Sequence, residues 1–128
     1  MGQCYVIELK LKIQNEEAFL LLSQDLAGDL KLRRYYTEKA NTDSVDGIAH
    51  LFFWTVDSEA IFTKHEAEDF VLYSNAFNAS YRWETVMQDW FIKVAPSLSR
   101  GSYLRVYPDS GHWKMYINGH GEADITYR

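Results

Sequence analysis

Residues 80–95, SYRWETVMQDWFIKVA, constrain this chain more than any other stretch. Trp83, Val86, Met87, Trp90, Phe91 and Val94 recur at the helical period and form one wide apolar stripe. Arg82, Glu84, Thr85, Gln88, Asp89 and Lys93 fall mostly on the opposite face. Asp89 and Lys93 stand four apart in the favourable acid-first order. Ser80 is the expected N-cap, and Glu84 lies in the first turn, where negative charge suits the helix dipole. Each buried tryptophan removes about 150–250 Å² from water, so the stripe needs a sheet to cover it.

Strands that could supply that sheet flank the helix on both sides. Residues 4–13 alternate: Tyr5, Ile7, Leu9, Leu11 and Ile13 point one way, and Glu8, Lys10 and Lys12 the other. Asn15 then caps a helix with Glu16 and Glu17 in its first turn. Phe19, Leu22 and Leu26 form its buried face, widened by Leu20 and Leu21, and Gly28 is expected to end it. Residues 37–47 read as loop. Residues 48–56, IAHLFFWTV, fit a buried strand or a short helix capped near Ser44; Ile48, Leu51, Phe52 and Trp54 favour the helix. Residues 59–64 and 69–74 read as two strands around the acidic turn HEAE, and residues 74–80 as a polar loop.

After the central helix, Pro96 closes it within a turn. The sequence SYLRVY-PDSG-HWKMYI is then a hairpin, because Pro108, Asp109, Ser110 and Gly111 are strong turn residues. A loop of those four places Tyr107 opposite His112, Val106 opposite Trp113 and Leu104 opposite Met115. That register builds one apolar face and leaves Tyr103, Arg105, Tyr107, His112, Lys114 and Tyr116 on the other. For the following turn, NGH, three residues plus a bulge would set Met115 beside Ala123 and Trp113 beside Ile125. The expected architecture is a single α+β domain over residues 1–128: an antiparallel sheet packed by two main helices, with a C-terminal β-meander.

Chemistry is less explicit. The chain has no phosphate-binding glycine loop, no G-x-S-x-G and no H-E-x-x-H, so no catalytic residue and no enzymatic activity are expected. Cys4 is the sole cysteine, which excludes an internal disulfide and fits a reducing, cytoplasmic setting. Residues 1–13 are not expected to act as a signal peptide, and no apolar run here is long enough to be expected to span a membrane. His120 and Glu122 flank Gly121, but no further ligands accompany them; neither metal nor cofactor is expected. Glu66, Glu68 and Asp69 read as a solvated acidic turn. The formal charge of −5, from 13 basic and 18 acidic residues, does not favour DNA or anionic lipid.

Two local features run against that net charge. Lys31, Arg33 and Arg34, followed by Tyr35 and Tyr36, could meet phosphate or simply complement a helix C-terminus. The hairpin's outward residues Tyr103, Arg105, Tyr107, Lys114 and Tyr116 suit a protein contact, or the stacking of bases, unless another helix covers them. Arg105 opposite Lys114 is an unfavourable like-charge pair that a nearby acid or an anionic ligand would relieve.

Over residues 83–117 the chain resembles a set of short uncharacterised bacterial proteins, often associated with phages or other mobile elements. The shared features are an apolar helix, the step Ala95-Pro96, the triplet Gly101-Ser102-Tyr103, and a hairpin with Trp113 in its second strand. The resemblance implies an α+β fold, a cytoplasmic setting and a mobile-element role, and brings no catalytic residues. The Arg105 position is often acidic in that set, so the basic hairpin face is particular to this chain. The expected function is non-enzymatic binding of a protein partner through Tyr103, Arg105, Tyr107, Lys114 and Tyr116, with Arg33 and Arg34 as a second locus. Inhibition of a host defence protein is its concrete form. The alternative is a small nucleic-acid or nucleotide binder using the same hairpin face.

Overall fold

Alternation in the first strand decides where the core lies. In the computed structural model, which describes residues 2–33, 44–53, 63–80, 82–107 and 112–127, strand β1 (Gly2–Leu11) buries Ile7, Leu9 and Leu11 on one face. Helices α1 (Glu16–Arg33) and α2 (Val45–Phe53) follow, then strands β2 (Thr63–Glu66) and β3 (Val71–Ser80). Helix α3 (Arg82–Val94) runs into a 3-10 turn (Ala95–Ser97), and β4 (Tyr103–Tyr107), β5 (Trp113–Ile117) and β6 (Ala123–Tyr127) complete the chain. The six strands form one antiparallel sheet in the order β2-β3-β1-β4-β5-β6. The fold is α+β, with the C-terminal meander as expected and α2 as a third helix beside the two main ones.

Helix α3 supplies the centre of the core. Met87, Trp90, Phe91 and Val94 are buried along its stripe. Trp90 meets Phe19 of α1 edge-on at 5.9 Å, and its indole N–H donates to the buried Ser23 hydroxyl at 3.1 Å. The Trp113 indole donates to Glu84 at 2.6 Å, joining the sheet to the first turn of α3. Asn15 caps α1 by accepting the Ala18 N–H at 3.1 Å, and Ser44 caps α2 by accepting the Gly47 N–H at 3.0 Å. The Ser99–Ser102 turn uses Gly101 at φ +99°, and buried Ser102 accepts the Lys12 N–H at 2.9 Å. The Ala95-Pro96 step and the Gly101-Ser102 pair therefore fasten the end of α3 to the segment after β1.

The first hairpin has the expected register: Val106 pairs with Trp113 and Leu104 with Met115. Its turn, residues 108–111, lies outside the described residues. Several boundaries differ from expectation. Gly28 does not end α1, which continues to Arg33. A glycine inside a helix costs only about 1 kcal/mol, and the residues after it continue the helix. Leu21 does not widen the buried face; it is 59% exposed. Residues 74–80 are strand rather than loop, because each of them pairs with β1, from Glu8 opposite Ser74 to Gly2 opposite Ser80. Ser80 is thus a strand residue and not the cap of α3. His65 and Glu66 belong to β2, and the turn lies two residues later, with the Ala67 N–H donating to the Phe70 carbonyl at 2.9 Å and Asp69 and Phe70 in the turn rather than in β3. Residues 59–62 fall outside the described chain.

The second meander turn is also longer than expected. Ile117 pairs with Ala123, Met115 with Ile125 and Trp113 with Tyr127. The loop is spanned by a hydrogen bond from the Asn118 N–H to the Glu122 carbonyl, with Gly121 at φ +76°. The Asn118 side chain accepts the N–H groups of His120 and Glu122, which stabilises the wider loop. The shift is two residues, so the apolar side of β6 still faces inward.

Removing the Trp90 ring should cost about 3–5 kcal/mol of stability, the range for a fully buried aromatic. Chemical denaturation of Trp90→Ala checks this; an unchanged midpoint would remove α3 from the centre of the core.

Candidate functional site

Parity divides the sheet into two chemically distinct faces. The inward row through Tyr73, Leu9, Leu104 and Met115 is buried. The neighbouring outward row runs across all six strands: Thr63, Ser74, Glu8, Arg105, Lys114 and Thr126 are successive cross-strand partners. A second outward row carries His65, Leu72, Lys10, Tyr103, Tyr116 and Asp124. Tyr103, Arg105, Tyr107, Lys114 and Tyr116 therefore share one surface and are all half-buried. Among the described residues, α3 and α2 engage the opposite face through Glu84 and Asp46, and α1 is joined to α3 through Trp90. Arg33 is the last residue of α1, and its side chain, like Arg34, lies outside what the structure describes.

Arg105 is held from several sides. Its Nη1 lies 3.6 Å from Glu8 Oε1, and its guanidinium stands 5.1 Å from the centre of the Tyr103 ring. Burial acts to lower the Arg105 pKa, but Tyr107, Glu8 and Tyr103 outweigh it and raise the value above the ordinary one. The Tyr103 phenol is also pushed up, first by burial and then by the Glu8 carboxylate. The Arg105 and Glu8 side chains are 32% and 33% exposed, so this ion pair contributes only about 0.2–1 kcal/mol.

Lys114, directly opposite Arg105, has its ammonium 4.8 Å from the same Tyr103 ring. Among the described residues it has no carboxylate within ion-pair distance. Two cations on one ring gain cation–π attraction, yet they still repel each other. Beside them Arg105, Tyr107, His112, Lys114 and Thr126 line a cleft of about 280 Å³. The rings of Tyr107 and His112 form one wall, with centroids 5.0 Å apart. No carboxylate lies in that described lining. Sequence reasoning does not single out Glu8; its position three strands from Arg105 in chain order hides a contact that only the β1–β4 pairing creates.

A larger hollow of about 440 Å³ lies on the helix side, and sequence reasoning missed it. Asp46 is its organising group. It accepts the Tyr73 hydroxyl at 2.5 Å and the Lys64 ammonium at 3.0 Å. Tyr73 is buried, which together with Asp46 drives its phenol far above the ordinary range. Glu16, Glu66, Glu68 and Asp69 edge the hollow, so its sign is opposite to that of the outer cleft. No spacing rule could have joined Asp46 to Tyr73, since α2 and β3 bring them together. Among the described residues, no group of His, Cys, Asp and Glu converges in a way that could hold a metal ion.

Tyr73→Phe should destabilise the chain by about 1.5–3 kcal/mol, the worth of a hydrogen bond to a charged acceptor. The phenol's raised pKa gives a sign as well. Stability from this group is complete below pH 10.0, the ordinary tyrosine value, and falls as the unfolded chain ionises above it. Denaturation midpoints followed from pH 8 to 11 should fall less steeply in Tyr73→Phe than in the parent.

Compared with protein-family models, curated proteins and solved structures, the chain matches none.

Proposed function

We propose that this chain is a non-enzymatic binding protein that docks a protein partner on the outer face of its sheet. The observation that carries the reading is Arg105 opposite Lys114, with Glu8 as the sole carboxylate paired to either among the described residues. A pair that costs stability in the free chain gains when an acidic surface is brought to it. Tyr103, Tyr107 and Tyr116 surround the pair with rigid rings that lose little entropy on docking. An overall charge of −5 with a basic strip on one face also orients an acidic partner towards that strip. The resemblance over residues 83–117 supplies a concrete partner class, a host protein that acts against mobile elements, met in the cytoplasm. No described helix is long and apolar enough to cross a membrane.

A second reading, a nucleic-acid binder, draws on the two cations flanking the Tyr103 ring, since bases stack on such rings. The two readings differ in salt response. Binding to labelled oligonucleotides should be absent at low salt under the first reading and steeply salt-dependent under the second.

The double substitution Arg105→Glu with Tyr107→Ala tests the main reading. It should leave the melting temperature close to the parent's and abolish capture of a protein that the parent retains. Retained capture, or unfolding of the variant, would overturn the outer face as the docking surface.

A further inference from the structure

We infer that the outer cleft between β4, β5 and β6 is a recognition site for a phosphate monoester. The inference rests on the outer face being a binding surface and names the chemical group it reads. Arg105, Lys114, His112 and Thr126 line one small volume, and the Arg105 guanidinium and Lys114 ammonium both stand at its edge against the Tyr103 ring. They come from three strands: Arg105, Lys114 and Thr126 are successive partners in one row of the sheet, and His112 immediately precedes β5.

Size and charge narrow the ligand. At about 280 Å³ the cleft falls just under the range of about 300–1,000 Å³ for sites that enclose a drug-sized molecule. It suits a headgroup or a single substituent rather than a whole nucleotide. A carboxylate carries one charge in one plane and is satisfied by the guanidinium alone. That would leave Lys114 as it stands, with its ammonium against a ring and no carboxylate paired to it among the described residues. A phosphate monoester carries about −1.5 to −2 at neutral pH and presents three acceptor oxygens. It can neutralise both cations together and still accept from Thr126. Glu8 does not block this, because its contact at 3.6 Å engages Nη1 and leaves other guanidinium donors available. The geometry therefore provides two cations, one of them shared with Glu8, in the row where like charges face each other.

The ester could be carried on a side chain of the partner or be a free small phosphate, and both present the same group. The test uses the isotope-labelled full chain at constant ionic strength, titrated in parallel with inorganic phosphate, O-phosphoserine, acetate and a short single-stranded oligonucleotide. Saturable shifts should appear at Arg105, His112, Lys114 and Thr126 with both phosphates, at an affinity about tenfold or more above acetate. Tighter binding of O-phosphoserine assigns the site to an ester on a partner, and tighter binding of inorganic phosphate assigns it to the free ion. Lys114→Gln should weaken phosphate about tenfold, while Lys114→Arg restores most of it.

Equal response to acetate, shifts centred elsewhere, or an unchanged Lys114→Gln affinity would overturn the site. So would an oligonucleotide that binds more tightly than either phosphate, which would move the cleft to the nucleic-acid reading. Failure here separates from failure of the docking face. Partner capture lost in Arg105→Glu with Tyr107→Ala, but no phosphate binding in the parent, keeps the face and removes the cleft. Phosphate binding with capture unaffected by that variant keeps the cleft and removes the face.

Discussion

Burial of Ile7, Leu9 and Leu11 on one side of β1 is the constraint on which the rest of the sheet depends. β1 is paired on both edges, to β3 and to β4, so its parity is imposed on each neighbour and through them on β2, β5 and β6. A slip of one residue would turn Glu8 inward and Leu9 outward, and every row would exchange faces. The helices read this parity. Trp113 reaches Glu84 and Tyr73 reaches Asp46 only because both side chains leave the sheet on the helix side. The proposed docking surface is the complement of that choice: Arg105 and Lys114 face outward because Leu104 and Met115 face the core.

The two faces carry opposite fields. Acidic side chains edge the hollow beside Asp46, and the cleft beside Lys114 is lined by cations. The separation is maintained by the sheet itself, whose apolar inner layer keeps the two sets of charges apart. A chain with 18 acidic residues thereby presents a basic patch without becoming basic. The opposed cations carry a small cost in the free molecule, offset in part by Glu8 and by the Tyr103 ring.

What could be read from sequence was local. The hairpin register followed from turn chemistry and alternation within a few residues of each other, and the stripe of α3 from periodicity alone. The NGH turn shows the limit of that reasoning. Parity requires an even shift but does not say which one, so Met115 was matched to Ala123 instead of Ile125. Residues 74–80 have little strand propensity of their own, and their conformation comes from pairing with β1, far away in the chain. The five hairpin residues could be gathered on one face from sequence. Glu8, which pairs with one of them, and Thr126, whose partner depends on the corrected register, could not.

The central place of β1 has a consequence for the chain during its synthesis. The strand emerges early, but its partner β3 is completed only at Ser80 and its partner β4 only at Tyr107. At about 5–20 residues per second, β1 waits roughly 5–20 s between leaving the ribosome and acquiring its second neighbour. Until β4 arrives, Ile7, Leu9 and Leu11 lie on a strand that can pair on one edge only, with β3 available after Ser80 and α3 after Val94. The element that organises the finished sheet is thus the one most dependent on chaperones, or on speed of translation, to reach it unaggregated.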